Sequence, residues 1–197
     1  MRAGAGTRHR GTSAYLRPGP QAGLRPSGTA RSIDASARAN PYGPGVYASN
    51  GMFIERLSDL PSESIHALVA ESEQAGWRFM RRLAEEWASG ANRFDGAGEA
   101  FFAALIGGRV VGVCGLNVDP YTVAQGVGRV RHLFVLSRYR RLGVGRELVG
   151  RVIEAARARF DILRLSTQNP AAAQLYERLG FHRCVGAADC THLMELR

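Results

Sequence analysis

The chain of 197 residues contains no lysine, so its 26 lysine-plus-arginine positions are all arginine. That absence removes one class of phosphate site at once, because a Walker loop ends in Gly-Lys-Ser/Thr and its lysine reaches the phosphates directly. Long apolar runs are missing as well. Charge or glycine interrupts every hydrophobic segment well short of the ~18 residues that a membrane span needs, so a soluble protein without a membrane contact is expected. Cysteine is scarce: Cys114, Cys184 and Cys190 have neither metal-ligand nor redox spacing, which predicts reduced thiols, no metal and a cytoplasmic setting. Acid is nearly absent from one region only. Residues 1 to 50 hold seven Arg against Asp34 alone, a net of +6, whereas residues 51 to 197 hold 19 Arg against 16 acids, a net of +3. A folded part so mildly basic requires no nucleic-acid groove, and a nucleic-acid role for the Arg-rich arm would show as a steep salt dependence lost with the arm.

The first fifty residues are rich in Gly, Pro, Ser, Ala and Arg and carry no apolar period able to build an element, so residues 1 to 51 are expected to be a disordered extension. Their composition resembles a transit peptide, but the apolar core of a secretory signal is missing. Exclusive use of Arg fits a GC-rich coding sequence, in which an upstream reading frame is readily taken for protein. Met52, first residue of the first strand-like run, is then the natural start of a single domain over residues 52 to 197.

Within that domain the periodicity predicts a strand at 52 to 57, then a helix opened by Pro61 with Ile65, Leu68 and Val69 on one stripe. A second helix places Trp77, Met80, Leu83 and Trp87 at spacings of three and four. Strands 100 to 106 and 109 to 116 form a hairpin around Gly107-Gly108. A strand at 129 to 135, a helix at 144 to 160, a strand at 162 to 166, a short helix after Asn169 and two short strands near 181 to 185 and 191 to 196 complete the order.

The richest segment is Leu133-Phe134-Val135 followed by Arg140-Arg141-Leu142-Gly143-Val144-Gly145-Arg146. It sets a glycine-rich turn between a strand and a helix, where backbone can approach an anion and the helix N-terminus points free N–H groups at it. A dinucleotide fingerprint is excluded, since Leu148 stands where its third glycine belongs. The pattern Arg-x-x-Gly-x-Gly after such a strand resembles motif A of the GNAT acetyltransferase superfamily. A second segment, Asn169-Pro170 through Leu175-Tyr176-Glu177 to Gly180-Phe181, is similar to that family's motif B. Its residues also read locally as an N-cap, a proline at the first helical position and a glycine beyond the last turn.

The resemblance implies an α/β GNAT fold: a mixed six- to seven-stranded sheet with helices on both faces and splayed central parallel strands. It implies acetyl-coenzyme A as cosubstrate, with Leu133 to Val135, Arg140 to Arg146, Asn169 and Tyr176 around it. The activity implied is N-acetyl transfer to a primary amine, on a small molecule or a peptide, by direct attack in a ternary complex, with the protein a monomer or homodimer. The backbone of Phe134 and Val135 would stabilise the oxyanion, and Tyr176 would act as the general acid that protonates the departing coenzyme A sulfur, or at least hydrogen-bonds it. Where many members carry a Glu, this chain has Arg129, so the base candidates are Glu99, Asp119, His132 or a water chain, with water ranked first. A non-catalytic acyl-coenzyme A sensor is the alternative.

Overall fold

The computed structural model describes residues 51–197. The expectations for residues 1 to 50 lie outside the described residues.

The chain opens with strand β1 (Met52–Arg56), then helices α1 (Ser62–Gln74) and α2 (Phe79–Ser89). Buried Ile65, Leu68, Val69 and Ser72 give α1 its inward stripe, and Met80, Leu83 and Trp87 do so for α2. Gly90, at φ 79°, ends α2 in the left-handed conformation. Strands β2 (Ala100–Ile106) and β3 (Arg109–Val118) form the expected hairpin, whose Gly107 and Gly108 both have positive φ, as a tight two-residue turn requires. Strand β4 (Val127–Val135), helix α3 (Val144–Ala156), strand β5 (Ile162–Leu165), helix α4 (Pro170–Arg178) and strands β6 (His182–Arg183) and β7 (His192–Glu195) follow. Helix α3 is four residues shorter than its apolar period predicts. The chain turns after Ala156, whose carbonyl accepts from Phe160 N–H, and Asp161 N–H then bonds Gly126 O at the entry to β5.

The seven strands form one mixed sheet in the order β1-β2-β3-β4-β5-β7-β6. Alternation along β2 splits the core: Ala100, Phe102 and Ala104 join the cluster under α3, while Phe101 and Ala103 join the cluster under α1 and α2. Helices therefore cover both faces, as the sequence implies.

Two irregularities shape the middle of the sheet. Gly115 of β3 opposes Arg131 of β4 while Val113 opposes Phe134, so His132 and Leu133 together face Cys114 alone. This is a β-bulge, and it holds His132 at φ 56°. The parallel pairing of β4 with β5 extends only from Val127 to Arg129, against Ile162 to Arg164. Beyond that point β5 belongs to its other neighbour, since Leu165 O accepts from Thr191 N–H and Thr167 N–H bonds the Thr191 hydroxyl. The two parallel strands part, and a gap opens through the sheet.

Candidate active site

A groove of about 1080 Å³ occupies this gap. Its walls come from both faces of the sheet: Gly143, Gly145, Arg141 and Arg146 with α4 on one side, and Trp77, Phe79, Arg82 and Tyr121 on the other. The exposed edge of β4 runs between them.

At the first end, Gly143 occupies the N-cap position of α3 at φ 86° and supplies no side-chain cap. Arg141 also has positive φ, at 66°. The first N–H groups of a helix have no intrahelical partner, so this end is set up to receive an anion. Arg141 and Arg146 line it without an ion pair among the described residues. These features fit a pyrophosphate. Arg140 is engaged otherwise: its Nε–H donates to Val135 O at 2.8 Å and its guanidinium meets Glu71 at 3.3 Å, which ties the turn to α1. Leu142 is exposed away from the groove and Val144 is buried in the core under α3, so neither side chain lines the groove.

In the middle of the groove no strand pairs with β4 on the β5 side after Arg129. Leu136 N–H donates to Val111 O on β3, so strand alternation turns Phe134 N–H toward β3 as well and Val135 N–H toward the open edge. Both residues whose backbone is expected from the sequence to serve here line the groove, but Val135 is the one whose N–H turns to it; Phe134 directs its N–H to β3 and packs its ring in the core under α1 and α2.

Tyr176 reaches the groove from α4. Asn169 starts that helix, its Oδ1 accepting from Ala171 N–H at 3.0 Å, so its side-chain oxygen serves the helix rather than a ligand. Gly180 at φ 97° closes the helix, with Phe181 N–H bonding Tyr176 O. The Tyr176 ring packs edge-on against Phe181 at 5.5 Å, and its hydroxyl has no hydrogen-bond partner among the described residues. Burial, with a smaller contribution from Cys114, holds the phenol pKa well above 10. The group is therefore a firm hydrogen-bond donor and a reluctant proton donor.

The base candidates separate clearly. Asp119 is out of the groove, wedged between Arg129 and Arg164 at 3.4 Å from each, with its side chain fully buried. Glu99 is out as well, since it accepts from Gly96 and Val118 N–H and lines a separate hollow beside Glu86 and Arg131. His132 does line the groove, but both ring nitrogens are shielded and unpartnered, and the ring lies 6.3 Å from Phe79 and 6.0 Å from Phe94. Burial, reinforced by Arg131, lowers its pKa to about 4.

That shift has a measurable sign. The unfolded chain takes up the His132 proton near pH 6.5 and the folded chain only near pH 4, so stability is full above about 6.5 and falls as the pH drops through this window. The loss attributable to this group reaches up to about 3 kcal/mol. His132→Asn, which tolerates the left-handed backbone, should flatten the slope in urea titrations at successive pH values. Equal slopes for the two proteins would mean that the ring protonates freely.

Sequence reading misses one cluster. Arg82 of α2 and Arg131 of β4 converge on Glu86 of α2, at 2.6 and 3.9 Å. Burial opposes the Glu86 charge, yet the two guanidiniums hold its pKa below the usual carboxylate range. Spacing of four residues links Arg82 to Glu86 along a helix, but nothing local links either to β4.

Comparison with known proteins agrees with this architecture. Residues 62–181 match the model of the acetyltransferase (GNAT) family. The Xenopus tropicalis protein named for N-acetyltransferase activity, camello, is 31% identical over 144 residues, which are 70% of this chain and 64% of that protein. The chain thus spans under two thirds of that relative's length. A solved Exiguobacterium structure described as an acetyltransferase superposes with a TM-score of 0.63 at 27% identity, covering 73% of this chain and 93% of its own. A GNAT-family acetyltransferase of Staphylococcus aureus gives 0.59 at 18% identity over 74% and 99%, a likeness of fold.

Proposed function

We propose that this chain, which belongs to the acetyltransferase (GNAT) family, transfers an acetyl group from acetyl-coenzyme A to a primary amine, and that residues 52 to 197 carry the activity. The observation that carries this reading is the uncapped, glycine-led N-terminus of α3 opening into a groove that continues past an unpaired strand edge to Tyr176.

Acetyl-coenzyme A supplies an activated acyl thioester. Gly143, Gly145 and the first N–H groups of α3 would bind its pyrophosphate, with Arg141 and Arg146 adding fixed charge. Val135 N–H would stabilise negative charge on the thioester oxygen. Tyr176 would donate a hydrogen bond to the departing sulfur. Its raised pKa makes it a hydrogen-bond donor that keeps its own proton, and the departing thiolate takes a separate proton from water. The groove is walled from both faces of the sheet, which supports direct attack: the amine enters from the α1–α2 side and the coenzyme from the α3–α4 side. Among the described residues no carboxylate lines the groove and both His132 nitrogens are covered, so the amine would lose its proton to water.

Release of free thiol from acetyl-coenzyme A, dependent on added amine, tests the reading. Binding without release for every amine would favour a sensor domain, the second reading, for which the lack of a groove carboxylate speaks. Tyr176→Phe refines the test. A hydrogen bond to a charged group contributes about 1.5–3 kcal/mol, so turnover should fall between about tenfold and about a hundredfold with coenzyme affinity little changed. Turnover within about twofold of the parent, with chemistry limiting, would make Tyr176 a packing residue.

A further inference from the structure

The acceptor half of the groove has a charge pattern that the coenzyme does not explain. Phosphates at the α3 N-terminus would meet Arg141 and Arg146, on the α3–α4 side of the sheet. On the α1–α2 side stand two separate clusters, each with two guanidiniums and one carboxylate: Arg82 and Arg131 share Glu86, and Arg129 and Arg164 share Asp119. Each cluster keeps one uncompensated positive charge. Arg129, Arg131 and Arg82 all line the groove, whereas neither Glu86 nor Asp119 does.

The clusters differ in availability. Arg129 is buried and saturated, donating to Asp189 O at 2.7 Å and lying 4.5 Å over the Tyr121 ring. Arg131 is different. Its 3.9 Å approach to Glu86 is too long for a hydrogen bond, and no other acceptor meets its guanidinium among the described residues. Glu86 spends its short contact on Arg82. A half-buried guanidinium with its donor fork free, on the wall of a cleft, matches a carboxylate in both charge and planar geometry.

Resting on the acetyl-transfer reading above, we propose that the acceptor is an amine that also carries a carboxylate, held by Arg131 with Arg82 in support, and that polycationic amines are excluded. A polyamine or aminoglycoside would bring two or more positive charges against a wall that already carries a net positive charge. An amino acid brings one negative charge to Arg131 and leaves its amine for the thioester. Trp77 and Phe79, 6.5 Å apart at this end of the groove, offer an apolar surface for the rest of the acceptor.

Matched pairs test this: phenylalanine against phenethylamine, tryptophan against tryptamine and leucine against isopentylamine, with spermidine as the polycation. Thiol release should give the carboxylated member at least a tenfold higher kcat/KM in each pair, with spermidine the poorest acceptor. Arg131→Gln, which leaves Glu86 paired with Arg82, should shrink that ratio at least tenfold, and Arg131→Lys should restore part of it. Equal or better use of the decarboxylated amines or of spermidine overturns the proposal. If no amine releases thiol, acetyl transfer itself fails, and calorimetry with the N-acetylated pairs still decides the acceptor question. Tighter binding of N-acetylphenylalanine than of N-acetylphenethylamine, lost in Arg131→Gln, supports the carboxylate site; equal binding, or binding of neither, overturns it.

Discussion

Asp119→Asn is expected to lower the free energy of unfolding by about 3–5 kcal/mol, the usual cost of stripping one partner from a buried ion pair. The side chain is fully buried, and the Arg129 and Arg164 side chains that face it are only 8% and 15% exposed. An amide in its place still accepts from Tyr121 N–H, which bonds Oδ1 at 3.0 Å, so the local turn keeps its hydrogen bond. What disappears is the anion between two guanidiniums that stay in place. Arg129 cannot swing to water without also giving up Asp189 O and the Tyr121 ring. Urea titration at constant pH measures the loss, and a change below about 1 kcal/mol would mean that solvent already screens the cluster.

The second large effect is on affinity rather than stability. Gly145→Glu should weaken acetyl-coenzyme A binding at least about a hundredfold while leaving the melting temperature within a few degrees. Gly145 is the second residue of α3, and a Cβ there meets the tip of Leu175, Cδ2, at 3.2 Å, a flexible contact that can yield. A carboxylate in the first turn suits the positive end of the helix, so the fold has no reason to object. The same carboxylate stands where the pyrophosphate is proposed to sit. Gly145→Ala adds bulk without charge and should cost much less. Calorimetry on the three proteins separates the two contributions, and unchanged affinity in Gly145→Glu would move the phosphate site elsewhere.

Much of the fold was legible because its signals are local. The hairpin follows from Gly107-Gly108, α4 from Asn169-Pro170 and Gly180, and the helix stripes from spacings of three and four. The glycine turn before α3 was legible for the same reason. The failures are all failures of distance or count. Asp119 reads as a free acid until Arg164, forty-five residues on, is folded against it. The N–H groups of Phe134 and Val135 read as equally available to the cleft, but successive N–H groups of a strand point to opposite edges, and only the long-range bond from Leu136 to Val111 tells which of the two is turned to β3. Arg131 carries no local signal in the sequence, and only its placement beside Glu86 of α2 turns it into a candidate ligand for an anion. The end of α3 was overestimated because Phe160 keeps the apolar period after the helix has stopped.

The short seam between β4 and β5 has a mechanical meaning. Three residue pairs join β1 through β4 to β5, β6 and β7, against the much longer ladders on either side of β3. A crack in the sheet would start at the mouth of the groove and run toward Val127, because backbone bonds there are fewest and nearest to solvent. The Asp119 cluster stands at the closed tip of that crack, with one arginine on each strand, like a rivet. A molecule lying in the open part would bridge the two flanks and oppose their separation, so ligand occupancy and resistance to unfolding would rise together by mass action.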